Sequence, residues 1–128
     1  MIIGVGIDII DIRRIDKTIK KYGLRFINKC FLNSEINKSE TRKKSTESYA
    51  KRYAAKEACS KALGTGLARG VFWKDIEVIN DKFGKPKIIL HNKAKKILNN
   101  FNYQNPIIEV SLSDEKDYAI ANVIISNE

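Results

Sequence analysis

Alternation opens and closes the chain. From Met1 to Ile10, Ile3, Val5, Ile7 and Ile9 fall on one side of an extended segment, and Gly4, Gly6 and Asp8 fall on the other. That predicts a strand with one apolar face and one bare face, so a neighbour can come close beside Asp8. The period then changes. Ile12, Ile15, Ile19 and Tyr22 recur at helical spacing, with Asp11 placed to cap the run and Gly23 to end it. Leu24 to Phe31 reads as a short second helix, with Phe26, Ile27, Cys30 and Phe31 apolar. Asn33-Ser34 offer a cap for a further turn or two. Residues 37–48, NKSETRKKSTES, have little apolar content and are expected to form a mobile connection, with Ser45 or Thr46 capping the next helix.

That next helix is the central one, in the stretch Tyr49 to Gly66. Ala50, Ala54, Ala58 and Ala62 recur every fourth residue, with Ala55, Cys59 and Leu63 beside them. The stripe is apolar but small, so another backbone can approach it. Tyr53, Glu57 and Lys61 form a second, polar stripe on a different side. Gly64 stands where a left-handed C-terminal cap is wanted, and Thr65-Gly66 prolong an exit loop expected to expose its amides. Ile76 and Val78 then alternate in a strand near Asp75–Asn80; turn residues 81–86 return the chain into Lys87–Leu90. Ala94, Ile97, Leu98 and Phe101 mark an amphipathic helix, and Ile107–Ser113 and Tyr118–Ser126 a closing hairpin. The order predicts an α+β fold, a largely antiparallel sheet with a long central helix, as one domain over residues 1–128.

Charge changes the picture more than size does. With 24 Lys and Arg against 15 Asp and Glu, the formal net charge of +9 calls for an anionic partner without saying which kind. The helix after Asp11 carries Arg13, Arg14, Lys17, Lys20 and Lys21, with Arg25 and Lys29 close behind, a one-signed face. No apolar run approaches the roughly 20 residues of a membrane span, and the first ten residues lack a basic leader. Cys30 and Cys59 have no paired metal-ligand spacing, so a reduced, cytoplasmic protein is expected.

Two carboxylates carry the candidate chemistry. Asp8 lies within an apolar strand, where a charge is costly without a partner. It is either a strand-end cap, a role Asp11 fills better, or a ligand. Glu57 and Lys61 are either an ordinary i,i+4 pair on a solvated face or part of a site. Gly64, Gly66 and Gly70 follow a helix instead of joining strand to helix, which excludes a dinucleotide loop. His91, the sole histidine, stands at a helix start and is given no chemistry.

IGVGIDIIDIRRI at the N-terminus, paired with RYAAKEACSKALGTG about 45 residues later, resembles the holo-acyl-carrier-protein synthases, a family of 4′-phosphopantetheinyl transferases. DIEV, the GKP turn and VSLSDEKDYAIANVII extend the similarity over nearly the whole chain. The resemblance implies transfer of phosphopantetheine from coenzyme A to a serine of apo-acyl carrier protein. The second product is adenosine 3′,5′-bisphosphate. It further implies magnesium and a homotrimer with active sites between subunits. Asp8 and Glu57 match the family's metal-binding acids, and Glu57 is also the candidate base. Lys61, Arg52, Gly64 and Gly66 are the candidate coenzyme A contacts. Arg14, Lys17, Lys21 and Arg25 would receive the acidic carrier protein.

A small nucleic-acid-binding domain would also account for the charge. It leaves Asp8 and Glu57 unexplained, since without a metal both would repel phosphate; neither a nucleic-acid nor a membrane partner is expected. One departure from the family stands out. Many members carry histidine after the Ser-x-Ser/Thr strand; here Val110-Ser111-Leu112-Ser113 is followed by Asp114.

Overall fold

A 19-residue helix, α4 (Ser45–Leu63), lies against a three-stranded antiparallel sheet and supports everything else. The fold is a computed structural model that describes residues 1–67 and 70–128, with Ala68 and Arg69 outside it. Around α4 the order is β1 (Ile2–Asp11), α1 (Ile12–Tyr22), α2 (Leu24–Cys30), α3 (Asn33–Glu40), α4, a single 3₁₀ turn (Trp73–Asp75), β2 (Ile76–Asn80), β3 (Pro86–Leu90), α5 (Asn92–Asn100), β4 (Pro106–Glu115) and β5 (Tyr118–Asn127).

Among the described residues the strands form two sheets, in the orders β1-β5-β4 and β2-β3, with every pairing antiparallel. The first strand thus pairs with the last, Asp8 opposite Ala121 and Ile10 opposite Ala119. The α+β expectation holds, with the strands divided between two sheets.

The bare face of β1 is where α4 lies. Ala54, Ala55, Ala58 and Cys59 are fully buried, as are Ala119, Ala121, Val123 and Ile125 of β5. A Cβ on Gly6 would fall 1.8 Å from the Ala58 carbonyl oxygen, and one on Gly4 2.0 Å from that of Ala62. Strand and helix backbones therefore touch directly, which only glycine allows. The opposite face of β1, with Val5, Ile7 and Ile9, is exposed in the single chain.

Asp11 caps α1 as expected, its side chain accepting from the Arg13 amide. Gly64 closes α4 at φ 85°, ψ 7°. Two expectations need correction. Residues 37–48 are not a mobile connection: α3 runs to Glu40 and α4 starts at Ser45, leaving four residues between. Nor does Ser45 or Thr46 cap α4; Lys44 holds the N-cap position without a side-chain bond.

A buried ion pair explains the ordered α3. Glu35 Oε1 accepts from the Leu32 amide at the helix start and from Lys56 Nζ of α4 at 2.8 Å, and Oε2 accepts from the Val78 amide of β2. Lys56 also donates to the carbonyls of Trp73 and Ile76. Both side chains are wholly buried, and desolvation pushes the Lys56 ammonium below its usual range. Polar residues without periodicity gave no sign of this anchor.

Candidate active site

The close contact of β1 with α4 decides what stands near Asp8. Asp8 shares the Gly4/Gly6 side of the strand, while Glu57 and Lys61 lie one turn apart on α4. Lys61 Nζ reaches across, donating to the Ile7 carbonyl at 3.0 Å and to Asp8 Oδ1 at 3.2 Å. Asp8 therefore does have a partner, a lysine whose side chain is half exposed.

Glu57 is the perturbed group. Desolvation first, then the negative charge of Asp8, pushes its carboxyl above the usual range, against the opposing pull of Lys61 and Arg14. Asp8 and Glu57 are close enough for the charge of one to bear on the other, with the Lys61 ammonium reaching from α4 to Asp8. Among the described residues no cluster of three His, Cys, Asp or Glu is found. Two protein carboxylates, with water and substrate phosphate for the rest, is the ligand set magnesium takes beside a nucleotide, so the pair fits that ion.

Tyr53, one turn before Glu57 and in the same polar stripe of α4, flanks the pair, though the sequence assigned it no role. Burial and the charge of Glu57 raise its phenol to about 12, so it stays protonated. Its ring stacks on Trp73 at 4.3 Å and meets Phe26 at 6.1 Å, joining the pair to the α2 side of the fold. Arg14, assigned from sequence to the carrier face, is close enough to Glu57 to bear on its charge. Arg14, Lys17, Lys21 and Arg25 are all exposed, and Arg25 lines a shallow groove of about 260 Å³ with Thr18, Tyr22, Phe26 and Lys29.

The glycine exit differs from expectation. The amides of Gly64, Thr65 and Gly66 are not free; they donate back to the Lys61 and Ser60 carbonyls, as a helix end requires. What Gly64 and Gly66 provide is positive φ and open space, with no heavy atom within 4 Å of either would-be Cβ.

Arg52 points elsewhere. It is buried, its Nη1 donating to Ser48 Oγ and its Nη2 to Asn80 Oδ1, both at 2.8 Å, while its Nε is buried without a partner. It borders a cavity of about 370 Å³ ringed by Arg42, Lys43, Lys44 and Lys51. None of Asp8, Glu57 and Lys61 lines this cavity. The basic run 42–44 was the sequence signal for it, hidden in what read as polar connection.

The comparisons fall on the same elements. Residues 4–123 match the family model described as the 4′-phosphopantetheinyl transferase superfamily. The chain belongs to that superfamily, as an enzyme of the holo-acyl-carrier-protein synthase type. The holo-acyl-carrier-protein synthase of Agrobacterium fabrum is 53% identical over 129 residues, covering 98% of this chain and 95% of that protein. The crystal structure of the Neisseria meningitidis holo-acyl-carrier-protein synthase superposes with a TM-score of 0.88 at 34% identity, covering 99% of this chain and all of that one. A Bacillus anthracis synthase solved in complex with CoA (3′,5′-ADP) gives 0.81 at 38% identity, covering 100% of this chain and 99% of its own.

Proposed function

We propose that this chain transfers the 4′-phosphopantetheine of coenzyme A to a serine of apo-acyl carrier protein, using magnesium, as a homotrimer serving fatty acid biosynthesis in the cytoplasm. The observation that carries the reading is the meeting of Asp8, Glu57 and Lys61 across a backbone contact built from Gly4, Gly6 and the alanines of α4.

In the reaction the serine Oγ attacks the phosphorus that bears the pantetheine arm. A new phosphoester bond forms, the pyrophosphate bridge breaks, and adenosine 3′,5′-bisphosphate leaves. Glu57 accepts the serine proton, directly or through one water. Asp8 and Glu57 would hold magnesium, which supplies positive charge to the pyrophosphate and to the leaving phosphate. Lys61 has the reach and the exposure to turn from Asp8 to a phosphate oxygen.

The basic cavity suits the bisphosphate end of coenzyme A. Five cationic side chains surround it, and the buried Arg52 Nε still lacks an acceptor. It stands apart from the acid pair of its own chain, which favours a site completed by a neighbouring subunit. The exposed sheet face supports the same assembly. Val5, Ile7 and Ile9 are 57%, 62% and 61% exposed, and Ile120 lies opposite Ile9; a row of this kind seldom stays in water. Sedimentation should give a trimer, and Ile7→Glu a smaller species. No helix among the described residues is long and apolar enough to cross a membrane, and Cys30 and Cys59 are buried free thiols, in keeping with a reducing compartment.

The groove bordered by Arg25, with Arg14, Lys17 and Lys21 exposed on the neighbouring α1, suits an acidic carrier protein with an apolar contact at its centre. Mass spectrometry of apo-carrier protein mixed with the enzyme, coenzyme A and magnesium tests the whole reading. The carrier should gain one phosphopantetheine, and not when magnesium is chelated. No gain, together with tight binding of DNA or RNA, would replace this reading with the nucleic-acid one.

A further inference from the structure

One carboxylate, Glu47, lines the basic cavity and a second, Asp114, stands beside it against the lining Lys51; the transfer reaction gives neither a task. Lys51 Nζ lies 3.6 Å from Asp114 Oδ1, and Lys44 Nζ 3.8 Å from Glu47 Oε1. Both separations exceed a hydrogen bond, so charge alone holds the lysines. Asp114 ends the same side of β4 as Leu112, which lines the cavity, and its side chain and that of Lys51 are each about one-third exposed (33% and 31%). Arg52 by contrast is fixed by Ser48 and Asn80.

We infer that Asp114 is an affinity-setting residue: it competes with the bound nucleotide phosphate for Lys51 and so keeps the bisphosphate end loosely held. The inference rests on the reading of this cavity as the seat of that bisphosphate. An anion entering the cavity meets three cations not tied to Glu47 or Asp114, namely Arg42, Lys43 and Arg52, and must draw Lys51 from Asp114 to gain the next. A carboxylate at the rim also repels a phosphate dianion directly. Coenzyme A and adenosine 3′,5′-bisphosphate share this end, so the effect falls equally on substrate and product. Tighter binding of a shared, non-reacting part lowers KM without raising kcat and slows product departure. An aspartate here thus trades affinity for release.

The test is calorimetric titration of adenosine 3′,5′-bisphosphate into the assembled wild-type protein and into Asp114→Asn, Lys51→Gln and the double variant. Asp114→Asn should bind about two- to five-fold more tightly, the range of a partly exposed ion pair. The KM for coenzyme A should fall by the same factor with kcat unchanged or lower. Lys51→Gln should bind more weakly than wild type, and in that background Asp114→Asn should lose most of its gain. The gain should also shrink near 1 M salt, where screening acts within about 3 Å. Asp114→Ser, which also removes the charge, serves if the asparagine variant does not fold. Bisphosphate binding by Asp114→Asn that is no tighter than wild type, or a gain undiminished in Lys51→Gln, overturns the inference while leaving the transfer reading intact. Wild-type protein with no affinity for the bisphosphate overturns both.

Discussion

Placing one methyl group at Gly6 should damage stability and activity together. The Cβ of Gly6→Ala would sit 1.8 Å from the Ala58 carbonyl oxygen and 2.8 Å from the Ala62 amide nitrogen. Ordinary contact begins near 3.4 Å, so strand and helix must part by 3.4 − 1.8 = 1.6 Å. Gly6 is not among the glycines with positive φ, so the alanine has no conformational penalty and only the contact is tested. What it meets is main chain at mid-helix, which cannot rotate away. Overpacking usually costs about 1–3 kcal/mol, and a backbone obstacle places this case at or above the upper end. For a domain of this size, about 3 kcal/mol lowers the melting midpoint by roughly 10–15 °C. The same displacement separates Asp8, two residues along the strand, from Glu57 and Lys61. A misplacement of about 1 Å can cost 10²-fold in rate, so transfer should fall by about that factor in protein that remains folded. Thermal unfolding by circular dichroism and a carrier-modification assay read the two effects. Gly64→Ala is the contrast: no atom lies within 4 Å but φ is 85°, so it should lose only about 1 kcal/mol. A Gly6→Ala protein with wild-type melting and turnover would refute the backbone contact on which the site depends.

Asp8→Asn and Glu57→Gln should each fold and lose most activity, measured at limiting magnesium. Glu57→Gln should also leave the metal-free protein as stable as wild type or slightly more so, by less than about 1 kcal/mol for this partly exposed group. The sign follows from the raised carboxyl: the folded state holds that proton more tightly, so stability is lost as pH rises through the unfolded into the folded pKa, and glutamine removes this loss. A marked drop in the metal-free melting midpoint would refute it. Lys56→Met leaves the Glu35 carboxylate buried and unpaired and should cost about 3–5 kcal/mol in urea unfolding, without any specific change in KM; near-wild-type stability would contradict the pair's anchoring role. Reversing charge at Arg14 together with Lys21 should raise the KM for carrier protein more than that for coenzyme A, and equal rises would point to another role. His91→Asn should leave kcat and any pH–rate inflection near 6 to 7 unchanged, because His91 Nε2 is engaged with Glu77 at 2.9 Å and not with the acid pair.

Helices and strands with a clear apolar period were legible, and so was the motif pair that brings Asp8 to Glu57. Asp11 and Gly64 do what their residue types predict, since caps act through local backbone chemistry. The start of α3 at Asn33 was legible, but its order through residues 37–40 was not. Its cause is Glu35, whose partners Lys56 and Val78 lie 21 and 43 residues away, and no local pattern encodes a buried pair. The basic cavity was missed for a related reason. Arg42, Lys43 and Lys44 read as a polar run until Lys51, Arg52 and Asn80 are seen around the same space. Gly64 and Gly66 were expected to present free amides, but a turn closing a helix consumes its own.

The alternation of β1 also shows the limit of what a two-residue period reports. It marks a strand with unlike faces, but it does not say what covers each one. Here the face with fewer apolar atoms, Gly4, Gly6 and Asp8, is the one pressed against α4, because contact with a helix backbone requires the absence of side chains. The richer face, Val5, Ile7 and Ile9, is left in water by the single chain. Burying these three side chains would contribute about 1.5–3 kcal/mol each, a gain one subunit cannot collect and an assembly can. A strand that serves its own helix on one side and its neighbours on the other would hold Asp8 at the point where both are joined. In the proposed trimer, loss of assembly should therefore reduce transfer even where the fold of each chain survives, and Ile7→Glu, whose side chain points away from Asp8, separates those two effects. A monomeric Ile7→Glu with full turnover would show that each chain completes its own site.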